Sequence, residues 1–220
     1  MTIKERCEEV WEYFTKKVTL VEQTQDPVII SVVCLSILDC LAQENAKYRN
    51  GKNEKIFTDF VKEYSDSDIL DCVNYITLYY ANTENFNLHK VYINKLLSSG
   101  NIYTLPEVCE IFEKVSLSEI PLNKINAHKF VNQLWFYRNK VMHEHNTLSN
   151  DISKNTSWIS NNVPYFYSCE SNWLFCIPAG YIKKLLLDCL ENYLHHCEKI
   201  NKDPFDNNTC DRPIYLAWVK

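Results

Sequence analysis

The sequence predicts a mainly α-helical protein with a small β-hairpin or three-strand elaboration near its C-terminus. Three observations carry that expectation. The 220 residues contain three glycines, too few for a turn-rich β-sandwich. Apolar residues recur at spacings of three and four along most of the chain, the period of a helix with one buried face. Aromatic runs suited to strands are concentrated in Val163–Ser168 and Asn172–Ile177, on either side of Cys169-Glu170-Ser171.

Taken in order, the first helix is expected over Ile3 to Val18, with Cys7, Val10, Trp11 and Phe14 at helical spacing. Asp26-Pro27 starts the second, an N-cap followed by proline at the first helical position. It should run to about Tyr48 and, being apolar around most of its circumference, should be central. Asn53 opens a compact amphipathic helix carrying Ile56, Phe57, Phe60, Val61 and Tyr64. Further helices are expected from Ser67 to about Ala81, from Asn87 to Leu97, from Leu105-Pro106 through Val115, and from Asn123 to about Asn146. Leu148 to Asn162 is rich in Asn and Ser and reads as a loop. After the aromatic hairpin, Pro178 opens a last helix to about Lys202, with Leu185, Leu186, Cys189, Leu190 and Tyr193 as its inner stripe. Ile214–Trp218 could add a third strand. No repeat or boundary divides the chain, so one domain over 1–220 is expected, with an insertion at about 148–177.

Composition excludes several function classes. The chain has no GxxxxGK[ST], GxGxxG or GxSxG, so P-loop, Rossmann and α/β-hydrolase chemistry has no support. A net charge of −5 argues against non-specific coating of nucleic acid but leaves room for a local basic cleft. Ten cysteines without a CxxC, and a charged amphipathic start in place of a secretory leader, predict reduced, mainly buried thiols in a cytoplasmic protein. The longest apolar run, Val28–Leu38, is too short to span a bilayer, and no membrane association is expected.

One stretch carries chemistry: Arg138-Asn139-Lys140-Val141-Met142-His143. Arg presents a fixed fork of donors to a phosphate, and His exchanges a proton near neutral pH. Asn139 and His143 lie four apart, on one helix face, and the long stem of Arg138 reaches round to the same space. Such a kit suits phosphodiester cleavage. A solvated helix face accounts for the same residues equally simply.

With these helices placed, the chain resembles a HEPN domain, a helical superfamily common among prokaryotic ribonucleases and RNA-binding proteins. Its signature is Arg, four to six residues, then His, often with Asn, Asp or His after the Arg. Arg138-Asn139 and His143 match the shortest form. Ser31–Ala42 resembles the superfamily's early core helix, and Lys55–Tyr64 its follow-on. The resemblance covers roughly the second, third, motif and last helices. It implies a HEPN-like helical bundle acting as a metal-independent endoribonuclease, with no cofactor. Arg138 would hold the scissile phosphate, His143 would serve as general base or acid, and Asn139 would orient a catalytic group or the phosphate. The RNA 2′-hydroxyl would be the nucleophile, giving a 2′,3′-cyclic phosphate and a 5′-hydroxyl. A homodimer through the motif helices is implied, in a toxin or antiviral-defence setting with an antitoxin or defence-system partner. Superfamily toxins modified by their antitoxin carry Tyr two residues after the His; here that position is His145, which puts such a partner in doubt. The alternative is a non-catalytic RNA-binding or protein-assembly module.

Three supporting residues complete the set. Asp39, among Ile37, Leu38, Cys40 and Leu41, either braces Arg138 or occupies an exposed sliver of its helix. His145, seven residues beyond Arg138, would share the site. Lys140 would contact RNA phosphates, or is an ordinary exposed lysine. No nearby carboxylate or Cys completes His143-x-His145 as a metal site, so no metal is expected.

Overall fold

The computed structural model describes residues 1–46, 51–81, 103–113, 122–144, 163–169 and 172–205, without the side chains of 79–81, 111–113, 143–144, 167–169 and 172–174. These residues are mainly helical, with one small three-stranded antiparallel sheet. They group into two compact units, Met1–Asp66 with Lys183–Lys220, and Ser67–Ile182.

The first unit holds α1 (Ile3–Glu22), α2 (Pro27–Asn45), α3 (Asn53–Tyr64) and all but the first residues of α8 (Ala179–Ile200). A capping box starts α1: the Glu5 amide donates to Thr2 Oγ1, and the Thr2 amide donates to the Glu5 carboxylate. Its buried stripe is Cys7, Val10, Phe14 and Val18. As expected, Asp26 caps α2, accepting from the Val28 and Ile29 amides at 2.8 and 3.2 Å, ahead of Pro27. α2 packs against both α1 and α3. It has the length and apolar composition of a membrane-crossing helix. A core helix has the same properties, and Cys34, Leu35, Leu38 and Leu41 are fully buried. The predicted stripe of α8 is buried throughout, and Tyr193 meets the rings of Phe60 and Tyr64 at 5.5 and 5.3 Å.

The second unit holds α4 (Tyr75–Ala81), β1 (Tyr103–Thr104), α5 (Leu105–Glu113), α6 (Leu122–Ala127), α7 (Phe130–Glu144), β2 (Tyr165–Cys169) and β3 (Asn172–Cys176). The aromatic runs form the expected hairpin, registered Tyr165 to Cys176 and Cys169 to Asn172. The third strand of the sheet comes from mid-chain: β1 pairs with β2, Tyr103 opposite Phe166. Ile214–Trp218, Asn87–Leu97 and the loop Leu148–Asn162 lie outside the described residues.

Two helical expectations are corrected here. The helix anticipated from Ser67 begins only at Tyr75, and the one anticipated from Asn123 is broken at His128-Lys129. The two interruptions have one cause. Val73 bridges antiparallel to Lys129, the Asn74 amide donates to the His128 carbonyl, and the Phe130 and Val131 amides donate to Cys72 and Leu70 carbonyls. Backbone groups committed to partners more than fifty residues away cannot also close i to i−4 bonds in a local helix. Asn74 then restarts the chain as helix, its Oδ1 accepting from the Thr77 amide.

Candidate functional site

α7 carries the motif. Its buried stripe is Phe130, Val131, Leu134, Tyr137 and Val141, the spacing of one helix face. Phe130 meets Phe175 of β3 at 6.0 Å and Tyr181 at 5.6 Å, and the Tyr137 hydroxyl donates to the Ile177 carbonyl at 3.5 Å. These contacts fix the rotation of α7, and so fix which residues turn away from the core. At about 100° per residue, Asn139 and position 143 fall on the side opposite that stripe.

Arg138 and Asn139 are brought together. Arg138 Nη1 donates to Asn139 Oδ1 at 2.8 Å, and both residues are half-buried. The guanidinium also lies over the indole of Trp135, with Cζ 4.9 Å from the ring centroid. A cation over a ring face and an N–H donated to an oxygen are separate contacts, so one guanidinium can make both. Lys140 is exposed. Position 143 lies within the same unbroken helix, one turn beyond Asn139; the His143 side chain and all of His145 lie outside the described residues. Asp39 sits half-buried on α2, in the first unit, whereas Arg138 belongs to the second.

Sequence reasoning missed Trp135. The signal was there: Trp135-x-x-Arg138 is an i, i+3 pair, which places the ring beside the guanidinium on any helix. It also missed a polar network at the start of α7, for which no local signal exists. Asn74, fully buried, donates from Nδ2 to Gln133 Oε1 at 2.6 Å. Gln133 Nε2 donates to Thr77 Oγ1 at 2.5 Å, and Thr77 Oγ1 lies 3.0 Å from His128 Nδ1. The Thr77 hydroxyl donates its one proton to the Asn74 carbonyl at 3.0 Å, so His128 Nδ1–H is left as the donor to Oγ1. Burial holds the imidazole below its usual pKa, which keeps it neutral at pH 7.

Other chemistry is disfavoured at the described positions. The described cysteines Cys7, Cys34, Cys40, Cys72, Cys109, Cys176, Cys189 and Cys197 are free thiols. Burial pushes Cys7, Cys34, Cys40 and Cys176 up to about 12, far from the thiolate a nucleophile needs at neutral pH. A groove of about 300 Å³ in the first unit is lined by Trp11, His195, Glu8, Glu12, Glu191 and Glu198. Its four carboxylates oppose entry of a phosphate-bearing ligand. No protein-family model, curated protein or solved structure matches the chain.

Proposed function

We propose that this chain is a metal-independent endoribonuclease whose working residues are Arg138, Asn139 and His143. The observation that carries the reading is the Arg138–Asn139 pair, set on one helix that runs without a break through position 143. Asn139 Oδ1 and the Trp135 ring orient the guanidinium, a group whose fork of N–H donors suits a phosphate. The Asn139 amide nitrogen adds a neutral donor beside it. Donors concentrated around one point stabilise charge that builds on phosphoryl oxygens in the transition state.

In the proposed reaction the ribose 2′-oxygen attacks phosphorus and the bond to the 5′-oxygen breaks. His143 accepts the 2′-hydroxyl proton, and the equivalent histidine of a second copy protonates the leaving 5′-oxygen. The products are a 2′,3′-cyclic phosphate and a 5′-hydroxyl, and RNA is the partner. The proposal extends to a homodimer formed through α7, to a cytoplasmic toxin or antiviral-defence role, and to restraint by a further partner of that system.

The test is incubation of wild type, Arg138→Ala and His143→Ala with total RNA in EDTA, followed by end-sequencing. Cleavage by wild type alone, leaving cyclic phosphates, supports the reading. Equal cutting by all three sinks the assignment. A second reading, a protein-assembly module, draws on Phe136. It is 58% exposed on α7, one turn before Asn139 and Lys140, where a partner helix would cover it. Dimerisation abolished by Phe136→Ser, in a protein without RNA cleavage, would favour that reading.

A further inference from the structure

We infer that Trp135 is the positioning residue of Arg138, an inference that takes its catalytic meaning from the proposed function. An arginine side chain has many rotamers, and holding its guanidinium in one place costs conformational entropy. Two restraints on α7 supply that order before any ligand arrives. The Trp135 ring, 4.9 Å from Cζ, holds the cation over its face. Asn139 Oδ1, 2.8 Å from Nη1, fixes its rotation within the guanidinium plane.

Leu134 and Tyr137, fully or almost fully buried, anchor the helix on either side of Trp135, which is half-buried. Trp135 touches neither phosphate nor ribose in this scheme; it acts through Arg138. Its loss should lower the rate of the chemical step, because the transition state demands the correct guanidinium placement, and should spare ground-state binding.

The experiment compares the full chain with Trp135→Ala and Trp135→Phe on an unstructured RNA oligonucleotide in EDTA. Trp135→Ala should lower kcat about tenfold, the size of one partly desolvated cation–π contact, with KM and Tm little changed. Trp135→Phe, which keeps a ring face, should recover most of the rate. Wild-type cleavage with Trp135→Ala cutting at the wild-type rate overturns the inference and leaves the proposed function standing. Loss of activity that tracks a fall in Tm and is not recovered by Trp135→Phe assigns Trp135 a merely structural role, and also overturns it. If wild type does not cut, the proposed function falls. The positioning claim is then read from the Arg138 Nε–H resonance in 15N spectra. A dispersed signal that collapses toward the free-arginine position in Trp135→Ala upholds it, and a signal unmoved by the substitution overturns it.

Discussion

The two ends of α7 use polar side chains in opposite ways. At its start, Gln133 ties to Asn74 and Thr77, and Thr77 to His128, residues 51 to 59 positions apart in sequence. At the motif, Arg138 meets Asn139 and Trp135, one and three positions away. The first arrangement joins separate segments of the second unit and surrounds a fully buried amide. Buried polar groups in such a network are costly to orphan, so the network specifies a fold. The second arrangement lies within one helix on half-buried residues and would form on any helix with this sequence. Local pairs of this kind add little to stability and are open to serving a ligand. On the proposed function, the contrast separates polar residues that hold the protein together from those that would act.

The largest effect should come from Arg138→Ala. Removing a donor aimed at developing charge typically costs about 10²–10³ in rate, or about 2.7–4 kcal/mol. Single-turnover cleavage measures it. The same substitution should leave the urea midpoint close to wild type, because the side chain is only half-buried. A large fall in stability would place Arg138 with the fold-holding residues and erase the contrast.

Next in size is Gln133→Leu. The apolar side chain keeps approximate volume but leaves the buried Asn74 Nδ2 without its acceptor, while Thr77 Oγ1 keeps its His128 partner. One orphaned buried group costs about 1–3 kcal/mol, so the midpoint in urea should fall clearly. Cleavage per folded molecule should be unchanged. A Gln133→Leu protein of wild-type stability would show that the network does not hold the second unit together.

How legible each end was in the sequence follows from the same distinction. The placement of Arg138, Asn139 and position 143 on one helix is legible because their spacing is local, and α7 keeps that register. The caps at Thr2 and Asp26 and the inner stripe of α8 were equally local, and the Asp26 cap and α8 stripe were read correctly. The helix starts near Ser67 and Asn123 were misread because the bridge from Val73 to Lys129 is decided by chain segments far apart. The strand Tyr103–Thr104 is illegible for the same reason: two residues are too few to carry an alternating pattern. Periodicity reports what a segment does with its neighbours and is silent about what a distant segment does to it.

Acid should act on the start of α7 and spare its motif turn in stability measurements. His128 is held below its usual pKa by burial, so between its folded and unfolded values the unfolded chain binds more protons. Stability attributable to His128 is therefore complete above pH 6.5, the ordinary histidine value, and declines as pH falls through that value toward the folded one. One proton limits the slope to about 1.4 kcal/mol per pH unit. Because Nδ1–H is already the donor to Thr77, protonation at Nε2 need not break that bond; the cost is a charge in a partly buried place. Urea melts of wild type and His128→Asn across pH 5 to 8 measure it. The variant should lose the pH-dependent component, and identical curves would remove His128 from the account.

The smallest effect, and the sharpest comparison with Gln133, is the stability of Asn139→Ala. Asn139 loses a hydrogen bond to its own neighbour, worth about 0.5–1.5 kcal/mol at most in net terms and less where water can replace it. Alanine returns part of that, since it is the better helix former by up to about 0.7 kcal/mol in a helix interior. The two changes nearly cancel, so the urea midpoint should move by no more than about 0.5 kcal/mol. Cleavage should nonetheless fall several-fold, because the guanidinium loses the acceptor that sets its rotation. Two amide side chains on one helix, six residues apart, would then differ in kind: Gln133 costs stability and leaves chemistry alone, and Asn139 does the reverse. If Asn139→Ala destabilises the protein as much as Gln133→Leu, both ends of α7 are scaffold, and the assembly reading centred on Phe136 becomes the better account of its exposed face.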